Sequence, residues 1–173
     1  MTTSSPSRAK HPRNAVAGPY GHPFHPILIT VPIGSWVASL VFDLVSRITT
    51  DGSAFVTGAT WLIGIGIVGA LLAAVFGFLD LMTIPQRTKA YRTALTHMTL
   101  NLVVVVLYAV NLGLRQGEEG DAISTVPLVL SLVALGVLGA SGWLGGKLSY
   151  RYGVRVADEG TQAEGFHVQA PKS

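Results

Sequence analysis

Residues 54–79, AFVTGATWLIGIGIVGALLAAVFGFL, contain no Asp, Glu, Lys, Arg or His. A second uncharged stretch, AISTVPLVLSLVALGVLGASGWLGG, covers residues 122–146. Runs of more than about 18 apolar residues are typical of membrane-spanning helices, because a helix needs that length to cross the hydrocarbon core. The sequence therefore predicts a membrane protein and excludes a water-soluble enzyme.

The composition of the whole chain supports this prediction. Only 12% of the 173 residues are charged and the mean hydropathy is +0.49, whereas soluble domains contain roughly 25% charged residues. The chain has no cysteine, which excludes a disulfide scaffold and any cysteine-ligated metal or iron–sulfur cluster in this polypeptide. The length allows one domain.

Four hydrophobic segments follow one another with short polar connections. We predict an all-α, antiparallel bundle of four transmembrane helices, since lipid leaves no water to satisfy unpaired backbone groups. The spans cover about residues 26–46, 55–81, 93–114 and 124–146. Pro32 should kink the first span and free the carbonyl of Leu28.

The basic residues predict the orientation of the bundle. With four spans, the two termini and the middle connection share one side, where ten of the twelve Lys and Arg residues fall. The positive-inside rule places that side in the cytoplasm, with both termini. We expect residues 1–20 and 158–173 to be disordered cytoplasmic tails around a transmembrane domain of residues 21–157. The pI of about 9.5 reflects this topology and contact with lipid headgroups, not nucleic-acid binding.

Polar side chains are costly inside a membrane, so each one is a candidate for a functional site. On two spans they share one helical face, which we expect to point into the bundle. On the first span this face contains His25, Ile29, Pro32, Trp36, Ser39 and Asp43. On the third span it contains Thr93, His97, Asn101, Tyr108 and Asn111.

Two acidic residues in the spans need partners. Asp80 ends the second span, where the helix dipole disfavours a negative charge, so we expect a cation beside it. The candidates are a protonated histidine, Arg87, Lys89 and Arg92. Asp43 either pairs with Arg47 one turn further on or belongs to a proton or ion pathway.

Three interpretations of His25 and His97 are open. Each histidine could bond a neighbouring helix without any cofactor. Both could be axial ligands of a b-type haem in the bundle core, with Asn101 and Tyr108 supporting them through hydrogen bonds. The third interpretation is a divalent metal site. Its ligands would be His22, His25, His97 and Asp80.

Small residues on two spans predict close approach of neighbouring groups. On the second span they could make room for a haem ring; these are Gly66, Gly69, Ala73 and Gly77. On the fourth span we expect packing within the bundle in preference to a dimer contact; these are Gly136, Gly139, Gly142 and Gly146. The sequence shows no convincing internal repeat.

Three parts of the sequence resemble a known family. GHPFHPILITVPIGSWVASLVFDL (residues 21–44), GFLDLMTIP (77–85) and the histidine that opens the third span resemble a bacterial family of four-helix predicted membrane proteins, domain of unknown function 2231. The resemblance covers roughly residues 20–157 and implies a fold more than a function. Some relatives carry a Rieske-type iron–sulfur domain after the fourth helix, and LSYRYGVRVADE (148–159) resembles that junction. By analogy this implies electron transfer, with the cluster in another polypeptide.

The favoured functional prediction is a non-enzymatic redox module in the lipid bilayer. It would bind haem b or a divalent metal through the histidines and pass electrons to an iron–sulfur or other redox protein on the cytoplasmic side. A cofactor-free structural or assembly subunit is one alternative. A small proton or ion pathway is the other, along Asp43, Tyr108, Asn111 and His97.

Overall fold

The computed structural model describes residues 7–18, 22–117 and 120–166, and these ranges contain helices and no strand. The α-helices are α1 (Ser7–Lys10), α2 (Phe24–Leu28), α3 (Thr30–Ser46), α4 (Ser53–Leu81), α5 (Lys89–Arg115), α6 (Thr125–Tyr150) and α7 (Glu159–Glu164). A single 3-10 turn covers Ala15–Ala17.

Four helical segments are long and apolar enough to cross a membrane. They are Phe24–Ser46, Ser53–Leu81, Lys89–Arg115 and Thr125–Tyr150. Each agrees with one predicted span to within four residues at either end. The prediction of an all-α protein with four candidate spans is therefore confirmed.

The first span is broken at Ile29, between α2 and α3. Pro32 has no backbone N–H, so the carbonyl of Leu28 loses its usual helical donor. The break expected from the proline lies at this point.

The first and second spans pack together closely and form the first hairpin; the third and fourth spans form the second hairpin in the same way. Within the first hairpin, His25 contacts Ala73 and Trp36 contacts Ile63, so the partners run in opposite order along the two helices. The centre of the bundle is a cluster of Trp36, Ile63, Val104, Tyr108 and Ala134. Many large apolar side chains point outward instead, as expected of helices that face lipid.

Three glycines of α6 do not pack inside the bundle as expected. A Cβ atom built on Gly136, Gly139 or Gly142 would meet no atom within 4 Å. The buried face of α6 carries other small residues, Ser131, Ala134 and Ser141.

The terminal segments pack on one end of the bundle. Arg155 has a left-handed backbone conformation, with φ of +58°, and its backbone N–H donates to the carbonyl of Ala9 at 2.9 Å. Its Nη2 donates to the carbonyl of Ala17 at 3.0 Å. Residues 9–18 therefore make specific contacts, whereas we expected an unstructured tail; the low hydropathy of the segment gave no sign of the two buried alanines. Residues 1–6, 19–20 and 167–173 of the expected tails lie outside the described residues.

Candidate functional site

Three pairs of side chains join the first and third spans through the middle of the bundle. The pairs are His25 with His97, Trp36 with Tyr108, and Asp43 with Arg115. Each pair is separated by the same 72 residues in sequence. The two spans therefore place equivalent positions at equal depth. Along the helix axis, the histidine pair lies about 16 Å from the Trp36–Tyr108 pair, which lies about 10 Å from the Asp43–Arg115 pair.

The two histidine rings contact each other edge to face. Their centroids are 6.3 Å apart and their planes are perpendicular, at 90°. His25 Nδ1 lies 2.9 Å from the carbonyl oxygen of Ala73, and His97 Nδ1 lies 2.8 Å from that of Ser141. A carbonyl only accepts, so both Nδ1 atoms carry the proton and both Nε2 atoms keep a lone pair.

A glycine packs against each histidine ring at an equivalent position. A Cβ atom built on Gly77 would lie 3.0 Å from the His25 ring, and one built on Gly145 would lie 3.1 Å from the His97 ring. Each glycine follows the carbonyl that accepts from its histidine by four residues. The two hairpins thus repeat one arrangement of histidine, carbonyl and glycine, although no repeat is evident in the sequence.

The second hairpin adds polar contacts that the first lacks. Asn101 Nδ2 donates to His97 Nε2 at 3.1 Å. The hydroxyl of Ser141 lies 3.0 Å from Asn101 Oδ1 and 3.0 Å from His97 Nδ1. The positions equivalent to Asn101 and Ser141 in the first hairpin are Ile29 and Ala73. Within the described part of the chain, no hydrogen bond reaches His25 Nε2, so the two lone pairs differ in availability.

Trp36 and Tyr108 lie three helical turns further along their spans than the histidines, and their rings stack with centroids 4.3 Å apart and planes at 10°. The Tyr108 hydroxyl is buried and has no hydrogen-bond partner among the described residues. Because Tyr108 lies three helical turns from His97, the structure does not bring it to the histidine pair as we expected.

The small residues of α4 face the first span, but side chains already occupy the space beside them. The indole of Trp36 packs directly on Gly66, and Val31 and Pro32 pack on Gly69. Gly77 lies against the His25 ring. The room that we expected for a haem ring is therefore filled by the first span itself.

Asp43 and Arg115 form a buried, bidentate ion pair at the opposite end of the bundle. Arg115 Nη1 donates to Asp43 Oδ1 at 2.9 Å, and Nη2 donates to Oδ2; both side chains are 0% exposed. Arg115 Nε also donates to Asn111 Oδ1 at 2.7 Å. Asn111 Nδ2 in turn donates to the hydroxyl of Ser131 at 2.8 Å. A network of hydrogen bonds thus satisfies both charges.

The expected pair of Asp43 with Arg47 is wrong. Arg47 Nε donates instead to the carbonyl of Ile123 at 3.0 Å, and its Nη2 donates to the hydroxyl of Thr125. Arg115 follows Asn111 by four residues, so it extends the polar face of the third span. That spacing was the signal that could have placed Arg115 on the buried face of the third span, although it does not identify the partner on the first span.

Asp80 pairs with Arg155, whose Nε lies 3.0 Å from Asp80 Oδ1. None of the cations that we expected beside Asp80 is this partner; Arg155 lies beyond the fourth span, where helical spacing gives no information.

The structure does not bring the four expected metal ligands together. His22 is exposed. The described residues contain no group of three His, Asp or Glu side chains that could hold a metal ion. Of the four proposed metal ligands, the structure places only His25 and His97 in contact.

These features define a four-span helical membrane protein with a pair of facing histidines in its core. Residues 21–158 match the family described as "Predicted membrane protein (DUF2231)", and the chain belongs to that family. No match was found among the curated proteins or among the solved structures.

Proposed function

We propose that this chain is a non-enzymatic redox protein that holds one haem b or one transition-metal ion between His25 and His97. The observation that carries the proposal is the facing of two equivalent imidazoles with centroids 6.3 Å apart. With metal–nitrogen bonds of about 2.0–2.1 Å, two imidazoles on opposite sides of one ion have ring centroids about 6 Å apart. The centroid distance therefore matches a bis-histidine centre, in which both Nε2 atoms would turn from the edge-to-face arrangement toward one ion.

The hydrogen bonds of the two rings support the same proposal. A metal-ligating histidine usually donates its other ring N–H to a carbonyl or carboxylate, which fixes the tautomer and leaves one lone pair for the metal. His25 and His97 both donate from Nδ1 to a backbone carbonyl. His25 Nε2 is available directly, whereas Asn101 must turn away before His97 Nε2 binds.

The packing of α4 favours a single ion over a haem. A haem needs a wide slot beside the rings, and Trp36 fills the space at Gly66. A single ion needs only the two lone pairs. Imidazole suits copper, iron and zinc, and zinc has no redox chemistry, so copper and iron are the ions that would transfer electrons.

The proposed orientation is an antiparallel bundle in the bacterial inner membrane with both termini in the cytoplasm. The charge asymmetry of the sequence supports it, because ten of the twelve basic residues fall on one side. His97 lies eight residues after Lys89, which begins α5. The histidine pair is therefore about 12 Å from the cytoplasmic end of that helix, where we place the iron–sulfur or other redox partner.

Absorbance spectra of the detergent-purified protein, oxidised and then reduced with dithionite, test this proposal after growth with added iron, copper and haem precursor. We expect a spectrum that changes on reduction and is lost in His25→Ala and in His97→Ala. His22→Ala is the matched control, because His22 lies three residues before His25 but is exposed. A wild-type protein without any redox-dependent spectrum would contradict the proposal.

A cofactor-free structural or assembly subunit is the second candidate, because the same Nδ1–carbonyl bonds tie each hairpin together. The variants His25→Gln and His97→Gln separate the two functions. The amide of Gln can still donate to the carbonyl, but it is a poor substitute for imidazole on a metal. Full stability of both variants, together with a wild-type protein that holds no metal, would favour the structural subunit.

The proton or ion pathway receives no comparable support. Both oxygens of Asp43 accept from Arg115, and the amide of Asn111 bonds Ser131 and the carbonyl of Pro127. Both carboxylate oxygens and the amide are thus engaged within the bundle, which leaves neither group open to a passing ion.

A further inference from the structure

The groups that bond the histidine pair are uncharged. Each imidazole keeps its proton on Nδ1, where it donates to a backbone carbonyl, and is therefore neutral. The side chains bonded to the His97 ring are those of Asn101 and Ser141, which carry no charge. Among the described residues, no Asp or Glu joins the two histidines in a group that could bind a metal ion. Asp80, the acidic residue of α4, pairs with Arg155 instead.

A neutral site favours an ion of low charge. His25 and His97 are half-buried and lie within candidate membrane spans, so water reaches them only in part. The free energy needed to move an ion out of water rises with the square of its charge, so a divalent ion costs about four times as much as a monovalent one. A carboxylate beside the metal would offset that cost, and the described part of the chain places none in a group with the pair. The pair therefore favours a monovalent ion.

The number of protein ligands favours the same kind of ion. The two Nε2 atoms are the lone pairs that the imidazoles offer to one ion, whereas Zn(II) in proteins usually takes four ligands. Hard cations such as Na⁺ and K⁺ prefer oxygen ligands, and copper accepts imidazole nitrogen. Cu(I) has a filled d shell and forms stable complexes with two nitrogen ligands in a line. The centroid distance of 6.3 Å matches two imidazoles on opposite sides of one ion.

We propose that the ion held between His25 and His97 is Cu(I), bound by the two imidazoles alone. This inference rests on the proposed function, because it names the ion of the same site. Since Cu(II) carries one more charge than Cu(I), the neutral site stabilises the reduced ion. Asn101 determines this specificity, because its uncharged amide lies 3.1 Å from His97 Nε2, where a carboxylate would favour divalent ions.

Competition between ions on the detergent-purified, metal-free full chain tests the inference. Under anaerobic conditions with ascorbate, we expect the wild type to take one Cu(I) per chain from its complex with the chelator bicinchoninate. His25→Gln and His97→Gln should each fail to take it. Ag(I), a monovalent ion that also binds two ligands in a line, should displace the copper from the wild type, whereas excess Zn(II) or Fe(II) should not.

The outcomes separate this inference from the proposed function. Displacement of copper by Zn(II) or Fe(II) would overturn the inference and leave the proposed metal site in place. Copper uptake by either histidine variant at the wild-type level would overturn the inference as well. A wild type that binds none of these ions would overturn both the inference and the proposed function.

A further pair of variants tests whether the neutral surroundings select the ion. Asn101→Asp places a carboxylate beside His97 Nε2, so the preference for Cu(I) over Zn(II) should fall by about 10-fold or more, as is typical when a group that bonds a metal-ligating histidine is changed. Thr96→Asp is the matched control, because Thr96 precedes His97 by one residue on the same helix and is exposed. An unchanged preference in Asn101→Asp, or an equal fall in Thr96→Asp, would overturn the inference. The competition on the wild type does not depend on the folding of either variant.

Discussion

Asp43 and Arg115 illustrate how strongly one buried charge depends on its partner. Both side chains are fully buried, and removing either would leave the other charge uncompensated in a low-dielectric core. We expect Asp43→Asn to destabilise the protein by about 3–5 kcal/mol, measured as a large fall in the thermal unfolding midpoint in detergent. Arg47→Gln serves as control, because Arg47 is exposed at the end of the same span. Equal falls for the two variants would contradict the assignment of the pair.

Tyr108 carries a polar group that the described structure does not use. Its hydroxyl is buried without a partner, which costs desolvation energy, while its ring stacks on Trp36. Tyr108→Phe keeps the ring and removes the hydroxyl, so we expect the unfolding midpoint to stay the same or rise. Tyr108→Leu, which loses the stacking, should lower it. A clear fall in Tyr108→Phe would mean that the hydroxyl has a partner in the membrane, such as a bound water.

At the scale of the helices, α4 and α6 hold the two histidines in the same way. Gly77→Ala and Gly145→Ala would each place a methyl group within about 3 Å of an imidazole ring, a separation at which side chains must shift. We expect both variants to shift their imidazole by a few tenths of an ångström, which lengthens the histidine–carbonyl bond and impairs metal binding to a similar extent. Gly64→Ala is the matched control on α4, because a Cβ there meets nothing within 4 Å. Metal content per chain and the unfolding midpoint provide the measurements; an effect of only one of the two substitutions would argue against equivalent hairpins.

The sequence predicted the spans well because long uncharged runs leave few alternatives in a membrane. It also predicted correctly that the polar faces of the first and third spans lie inside the bundle, where Trp36, Asp43 and Asn111 are all buried. It did not predict which residues pair across the bundle. Helical periodicity fixes the face on which a residue lies but not the depth of one helix relative to another, so Arg115 as the partner of Asp43 became visible only in the fold.

The partner of Asp80 could not be predicted for a different reason. Arg155 lies in an irregular segment after α6, and its position depends on a left-handed backbone conformation rather than on a periodic pattern. The glycines of α6 were also ambiguous, because a face without side chains suits a neighbouring helix and a lipid chain equally well. Contacts show that Arg155 pairs with Asp80 and that Gly136, Gly139 and Gly142 lie outside the packed core, neither of which follows from sequence spacing.

At the scale of the whole molecule, Arg155 connects the N-terminal segment, the end of α4 and the segment after α6. Its side chain binds Asp80 and the carbonyl of Ala17, and its backbone N–H donates to the carbonyl of Ala9. We expect Arg155→Gln to release residues 9–18, so that limited trypsin digestion at Lys10 and Arg13 becomes faster without a large change in the unfolding of the bundle. Arg151→Gln is the control, and unchanged cleavage rates in Arg155→Gln would contradict this role.

The central proposal is that His25 and His97 together hold one metal ion. The number of metal ions per chain tests it most directly. Elemental analysis of the purified full chain, with protein quantified on the same sample, should find one equivalent of iron or copper per chain in the wild type. The proposal that both imidazoles bind the same ion predicts that His25→Gln and His97→Gln each lose nearly all of it, while His22→Gln retains it. A metal-free wild type, or full retention of metal in either core variant, would contradict the account.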